Sequence, residues 1–114
     1  MARILLVEDD LDIRVLVEHV LLAERYEVDP AGTVTAAQTL LGRSRYDLVL
    51  ADGILPDGTG IDVAEEARRR GIPAIIVTAY AFRLPREQLA RFELLLKPVR
   101  PAELLQAIER ALQP

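Results

Sequence analysis

Five side chains with complementary chemistry stand at or just after the ends of apolar segments. Glu8, Asp9 and Asp52 are carboxylates, Thr78 is a hydroxyl and Lys97 is an ammonium. Carboxylates within about 4 Å of one another repel by about 4 kcal/mol per pair at a moderate dielectric, so this group needs a cation or must protonate. Oxygen ligands with room for water suit Mg²⁺, and Mn²⁺ is also possible.

Asp52 is the residue that we expect to react. It ends an apolar run, residues 48–51, whose lack of alternation indicates a strand covered on both faces. Ligands bind outside the carboxyl ends of such strands. A rigidly placed carboxylate beside a cation can attack phosphorus as an aspartyl nucleophile. The metal and Lys97 would then neutralise the phosphoryl oxygens, while Thr78 would hydrogen-bond the product phosphate.

The elements that position these residues alternate between strands and helices. Apolar runs predict strands over residues 4–7, 48–52, 73–78 and 92–97, and the short alternating segment 26–29 predicts a strand nearer the edge of the sheet. Helical spacing predicts helices over 11–24, from Thr33 or Thr35, over 60–70, over 85–91 and from Pro101. This order predicts an α/β fold, a doubly wound five-stranded parallel sheet. The fourth helix is expected to be short or irregular, because residues 79–91 lack a clean period.

Three local expectations accompany this assignment. The first helix should be capped by Asp9 or Asp10. Residues 54–60 should form a loop, because Pro56 cannot donate to a strand ladder and glycines mark turns. The inner face of the first helix should consist of the apolar residues at helical spacing, namely Ile13, Leu16, Val17, Val20 and Leu21.

Composition limits the classes of function. The chain has 114 residues, no cysteine and a net charge of −4, so we expect one domain over residues 1–114 without disulfides or a cysteine-ligated metal. Its scattered cationic residues argue against direct nucleic-acid binding and favour a protein or a cation as partner. No apolar run approaches the roughly 20 residues of a membrane span, so we expect no membrane insertion and a cytoplasmic location.

The set of reactive residues and its order resemble the receiver domain of two-component response regulators, the CheY-like family with a flavodoxin-like fold. By that resemblance Asp52 is the phosphoacceptor, followed by a loop similar to the family's in residues 55–60. Glu8 and Asp9 resemble the family's acidic pair. The resemblance implies a metal site formed by Glu8, Asp9, Asp52 and the backbone carbonyl of Ile54.

The same resemblance extends to the second half of the site. Thr78 and Ala79 resemble the family's switch hydroxyl and its small neighbour. Lys97 and Pro98 resemble its lysine and following proline, with the peptide bond between them expected to be cis. The resemblance therefore implies that Thr78 and Lys97 assist phosphoryl transfer to Asp52.

Some positions depart from the family pattern. Leu94 stands where the family usually has a tyrosine or phenylalanine that moves inward on phosphorylation. The segment between Thr78 and Lys97 is also shorter than usual. Tyr80 and Ile54 correspond to positions that flank the phosphoryl group, and their bulk predicts slow self-hydrolysis.

The resemblance implies a self-phosphorylating phosphoacceptor rather than a turnover enzyme on a separate substrate. Its phosphodonor would be a histidine kinase or a phosphotransfer protein. Its output would be altered association with a downstream protein, through the face formed by the fourth helix, the fifth strand and the fifth helix.

Other functions compete with this interpretation. Leu94 and the short segment are consistent with a non-switching receiver that serves as a protein-binding scaffold. A haloacid-dehalogenase-type phosphatase also uses a strand-end aspartate but needs a second acid where this chain has Ile54. A nucleotide-binding flavodoxin-like domain would need a glycine-rich phosphate loop, which the sequence lacks.

Overall fold

The chain folds into a parallel sheet with helices on both faces, as predicted. The computed structural model describes residues 1–113. In chain order the elements are β1 (Arg3–Val7), α1 (Leu11–Ala23), β2 (Glu27–Ala31), α2 (Val34–Arg43), β3 (Leu48–Asp52), β4 (Ile54–Leu55), β5 (Gly58–Thr59), α3 (Gly60–Arg69), β6 (Ala74–Thr78), a 3₁₀ turn (Ala81–Arg83), α4 (Arg86–Leu89), β7 (Glu93–Leu96) and α5 (Pro101–Leu112).

The main sheet has five strands in the order β2-β1-β3-β6-β7, and every neighbouring pair is parallel. The unbroken apolar runs of β1 and β3 occupy its centre. The more polar β2 lies at an edge, where Pro30 is tolerated because a proline has no N–H to donate to the ladder. The predicted placement of this strand near the edge is confirmed.

Alternate residues of the central strands supply two separate cores. Leu5 and Val7 of β1 pack with residues of α2 and α3 on one face. Ile4 and Leu6 pack on the other face, against Leu21 of α1 and residues of α5. This division is what the period-two geometry of a strand requires of a doubly wound sheet.

Local hydrogen bonds define where the helices begin. The Asp10 carboxylate accepts the N–H of Ile13 at 3.0 Å, so Asp10 and not Asp9 caps α1. Thr33 caps α2 by accepting the N–H of Ala36 at 3.0 Å. None of the helices within residues 1–113 combines the length and apolar character that a membrane crossing needs.

Two local predictions were wrong. Residues 54–60 were expected to be loop, but β4 and β5 form a short antiparallel hairpin in which Ile54 pairs with Thr59. A turn at Pro56 allows this pairing, because the proline lies outside the two paired segments.

Leu16 was expected on the buried face of α1, yet it is 64% exposed. The apolar stripe of α1 is therefore wider than the surface that the sheet covers.

Candidate active site

The predicted reactive residues meet at the carboxyl edge of the sheet. Glu8 directly follows β1, Asp52 ends β3, Thr78 ends β6 and Lys97 directly follows β7. The first two belong to neighbouring central strands. The chain connections leave β1 and β3 toward opposite faces of the sheet, and the crevice at such a point is where ligands bind in open α/β sheets.

The Lys97 ammonium bridges two carboxylates. Its Nζ donates to Oε1 of Glu8 at 2.8 Å and to Oδ2 of Asp52 at 3.3 Å. The side chain of Glu8 is 5% exposed, that of Asp52 14% and that of Lys97 21%. The three charges therefore interact in a partly desolvated crevice, where attraction is stronger than in bulk water.

The environment shifts two of these acid–base equilibria. Burial raises the pKa of Glu8 above its ordinary value, and the neighbouring Asp52 adds to the rise, although the hydrogen bond from Lys97 opposes it. Burial alone would lower the pKa of Lys97, but its bonds to Glu8 and Asp52 and their negative charges outweigh that effect and raise it. Lys97 is thus held in its charged form.

Glu8, Asp9 and Asp52 each offer a carboxylate oxygen, and these oxygens all lie within 4.8 Å of one another. Glu8 is buried, Asp52 is half-buried and Asp9 is exposed to solvent. A set of hard oxygen donors open to water on one side fits Mg²⁺, which keeps several of its waters. Lys97 supplies one positive charge against these three carboxylates, so the ionised set keeps a net charge of −2, which a divalent cation would neutralise.

Thr78 is fully buried, and its hydroxyl oxygen accepts the backbone N–H of Tyr80 at 3.1 Å. Gly53, the residue after Asp52, packs against it, because a Cβ on Gly53 would lie 2.7 Å from both Cβ and Oγ1 of Thr78. Only a glycine leaves room for this approach of the two strand ends. Gly53 was not among the predicted site residues, although its position directly after Asp52 was the available signal.

The backbone after Asp52 folds back on itself, so that Gly60 contacts Asp52 and Gly53. The N–H of Gly60 donates to the carbonyl of Gly53 at 2.9 Å. A Cβ on Gly60 would collide with the carbonyl oxygen of Asp52. Ile54 lies between these points, in β4 and two residues beyond Asp52. The hairpin that contains the Ile54 carbonyl is thus closed at its base against Asp52.

The remaining predicted residues surround this centre. The bond between Lys97 and Pro98 is cis, which confirms that expectation. Ala79 and Tyr80 are exposed, and the Tyr80 ring contacts Phe82 edge to face at 6.3 Å between centroids. The Arg83 guanidinium lies 4.7 Å from the centroid of the Tyr80 ring. Leu94 is half-buried and packs against a small core cluster that includes Ile76 and Leu84.

A cavity of about 400 Å³ opens beside Asp52. Its polar end is formed by Glu8, Asp52 and Lys97, and its walls are largely apolar. Ile13, Leu16 and Val17 of α1 form one side, and Pro98, Val99 and Leu104 form part of the other. This cavity was not predicted, because Leu16, which lines it, was expected on the buried face of α1.

Comparisons with known proteins agree with this architecture. A family model described as response regulator receiver domain matches residues 4–109. The response regulator protein PilR of Pseudomonas aeruginosa is 33% identical over 114 residues, which cover 96% of this chain and 26% of PilR. The chain thus spans about a quarter of that relative.

Solved structures give the same result. The receiver domain of a sensor histidine kinase from Pseudomonas aeruginosa, with a magnesium ion coordinated in its active site cleft, has a TM-score of 0.86 and 31% identity over 97% of both chains. The response regulator TrrA from Thermotoga maritima, in complex with Mg²⁺-BeF, has a TM-score of 0.89 and 31% identity over 97% of this chain and 99% of TrrA. This chain belongs to the response regulator receiver domain family of two-component systems.

Proposed function

We propose that Asp52 accepts a phosphoryl group from a phosphohistidine of a histidine kinase or phosphotransfer protein. An Asp52 carboxylate oxygen bonds to phosphorus as the bond from phosphorus to the histidine nitrogen breaks, and the nitrogen keeps that electron pair. The observation that supports this most directly is that Asp52 has the Lys97 ammonium 3.3 Å away and carboxylate oxygens of Glu8 and Asp9 within 4.8 Å.

The residues that would hold the metal are Glu8, Asp9, Asp52 and the Ile54 carbonyl. Bound Mg²⁺ supplies positive charge that offsets the repulsion between the Asp52 carboxylate and the incoming phosphoryl oxygens. Mn²⁺ would satisfy the same oxygen donors. Lys97 contributes a second positive charge from the end of β7, and its hydrogen bond to Glu8 at 2.8 Å holds the ammonium in place.

The phosphodonor partner is proposed to dock against α1. Leu11, Val15 and Leu16 are exposed on this helix, and Leu16 also lines the cavity that opens beside Asp52. This apolar surface continues into the cavity beside Asp52. It fits a partner segment that covers Leu11, Val15 and Leu16 and places a phosphohistidine against Asp52. This placement would also exclude water from the transfer.

The output is proposed to be a change in protein association on the face formed by α4, β7 and α5. Thr78 would pass the change on, because its side chain packs against Gly53, the residue after Asp52, and its hydroxyl oxygen accepts the Tyr80 N–H. Tyr80, Phe82 and Arg83 form an exposed aromatic and cationic cluster next to this face. We further propose that residues 1–114 act as one receiver domain.

The scaffold alternative rests on two features of the same face. Leu94 stands where the family usually has an aromatic residue that moves inward on phosphorylation, and α4 has only four residues. A non-switching receiver would keep the site yet show no change on this face when the site is filled. The two functions therefore make different predictions for residues 81–95.

Thermal unfolding with Mg²⁺ alone, and with Mg²⁺ plus beryllofluoride, an aspartyl-phosphate mimic, tests the phosphoacceptor site. Ligand at ten times its Kd should stabilise the fold by about 1.4 kcal/mol. Asp52→Asn should abolish the beryllofluoride step, whereas Asp47→Asn, an exposed carboxylate that accepts a backbone N–H far from the site, should retain it. An unchanged beryllofluoride step in Asp52→Asn would reject Asp52 as phosphoacceptor.

A phosphoramidate, which has the same phosphorus–nitrogen bond as phosphohistidine, tests the chemistry itself. Intact mass should show one phosphoryl group on the wild-type chain and none on Asp52→Asn.

NMR spectra of the beryllofluoride-bound protein separate the switching receiver from the scaffold. Shifts that extend through residues 81–95 support the switching receiver, and shifts confined to the immediate site, which includes Ala79, Lys97 and Pro98, support the scaffold.

A further inference from the structure

Asp57 joins the turn of the β4–β5 hairpin to the start of α2. Its carboxylate accepts the backbone N–H of Val34 at 2.7 Å and that of Thr35 at 3.0 Å, and it also accepts the Thr35 hydroxyl at 2.8 Å. Thr33 satisfies the next N–H of the same helix, that of Ala36. The first turn of α2 is therefore capped partly by its own threonine and partly by a residue of another segment.

The hairpin is fixed at both ends by these contacts. At its base, Gly60 donates to Gly53 and packs directly on the backbone of Asp52. At its tip, Asp57 connects it to α2. A Cβ on Gly58 would lie 2.7 Å from an Asp62 carboxylate oxygen and 3.1 Å from Cγ2 of Val34, so the tip is packed tightly between α2 and α3.

At its tip the hairpin is bonded, through Asp57, to the start of α2. Val34 is buried in the same core cluster as Leu55 of β4, so the start of α2 packs against the core that the hairpin also contacts. Hydrogen bonds from two backbone N–H groups lower the pKa of Asp57, which keeps its carboxylate ionised as an acceptor at neutral pH. Ile54 lies between the fixed base and the fixed tip.

We propose that Asp57 is a positioning residue for the metal site, because it holds the hairpin against α2 and thereby fixes the Ile54 carbonyl beside Asp52. This inference rests on the proposed function, in which that carbonyl is a metal ligand. Residues that orient metal ligands without touching the metal commonly matter for affinity. An ordinary helix cap would instead contribute to stability alone.

The test compares two ways of weakening the start of α2. Asp57→Asn keeps the size of the side chain but replaces one acceptor oxygen with an amide that faces the donors of α2. Thr33→Ala removes the helix's own cap and leaves the Asp57 contacts in place. Both should lower the melting temperature without metal. The readout is the midpoint of Mg²⁺ binding, that is the apparent Kd, obtained by fitting the rise in melting temperature with Mg²⁺ concentration to the mass-action relation for a ligand of the folded state.

We expect Asp57→Asn to raise this midpoint about tenfold. Thr33→Ala should leave it unchanged despite its lower stability. Thr35→Val, which removes only the hydroxyl bond to Asp57, should raise it by a smaller factor. An unchanged midpoint in Asp57→Asn, with or without a loss of stability, would reduce Asp57 to a helix cap and overturn the inference.

Failure of the proposed function gives a different result. In that case the wild-type chain itself would show no metal-dependent rise in melting temperature. A rise in the wild-type chain with the same midpoint in Asp57→Asn leaves the proposed function intact and rejects only the role of Asp57.

Discussion

The Lys97 ammonium lies 2.8 Å from a Glu8 carboxylate oxygen, and this pair connects the ends of β1 and β7 across the sheet. Glu8 is the more deeply buried partner. A buried carboxylate without a counter-charge is costly, so Lys97 compensates Glu8 and Asp52 before any metal arrives.

Replacement of Lys97 should therefore make the fold more dependent on metal. Lys97→Met should lower the free energy of unfolding by about 2 kcal/mol in the absence of Mg²⁺, less than for a fully buried pair because the crevice admits water. Added Mg²⁺ should stabilise this variant more than the wild type. Denaturant unfolding with and without Mg²⁺ measures both effects. Arg86→Met, which removes an exposed cation elsewhere, should show neither, and an equal Mg²⁺ increment in all three proteins would contradict the compensation.

Thr78 should couple the phosphoacceptor to the following segment through its hydroxyl. Thr78→Ala should still be stabilised by Mg²⁺ and beryllofluoride, because Asp52 is intact. It should lose the beryllofluoride-dependent NMR shift of the Tyr80 amide, whose acceptor is the Thr78 oxygen. Thr78→Ser keeps the hydroxyl and should keep the shift. The same shift in the alanine variant would show that the change travels by another route.

Tyr80 should slow the hydrolysis of the aspartyl phosphate. Its ring, held by contacts with Phe82 and Arg83, stands two residues beyond Thr78 and would restrict water. Tyr80→Ala should shorten the lifetime of the phosphoryl group several-fold, as measured by intact mass over time after removal of the donor. Tyr80→Phe should match the wild type. Equal lifetimes in all three proteins would show that water reaches the site from another direction.

Two glycines should respond to alanine in opposite ways. Gly60→Ala places a Cβ against the Asp52 backbone, which cannot yield, and should cost about 3 kcal/mol of stability. Gly42 lies in α2 with its nearest neighbour 4.0 Å away at the end of the Arg70 side chain, so Gly42→Ala should add about 0.8 kcal/mol. Chemical denaturation compares them. A stable Gly60→Ala protein would mean that the hairpin base is not close-packed.

Tyr46 should make the fold sensitive to alkali. Burial, with its hydrogen bond to Asp29, raises the pKa of Tyr46 from 10.0 to about 12. Between these values the unfolded chain loses the proton while the folded chain keeps it, so stability should fall as pH rises through this window. Tyr46→Phe should be about 1 kcal/mol less stable at neutral pH and should lose part of the alkaline decline. An identical decline in the variant would assign it to other groups.

Much of the architecture could be predicted from the sequence because its signals are local. Unbroken apolar runs gave the central strands, and the residues that follow them gave the members of the candidate site. Their meeting then follows from parallel strands sharing one carboxyl edge. The roles of Glu8, Asp9 and Asp52 stay predictions until metal and phosphoryl binding are measured.

The rest depended on contacts that have no local pattern. Asp57 and Val34 are 23 positions apart, and nothing near either residue indicates that one caps the other. The apolar stripe of α1 predicted an amphipathic helix but could not tell which of its residues face the sheet. Leu16 belongs to the stripe and yet faces a cavity, because helical spacing does not reveal how wide the covering surface is.

The short α4 has a consequence for the energetics of the whole fold. Within residues 79–91, Leu84 is the one buried side chain, so little apolar burial offsets the conformational entropy lost on ordering this stretch. It therefore belongs to the low-stability end of the molecule and can open while the central strands remain intact. Backbone amides of this stretch should exchange with solvent through such partial openings, long before those of β1 and β3.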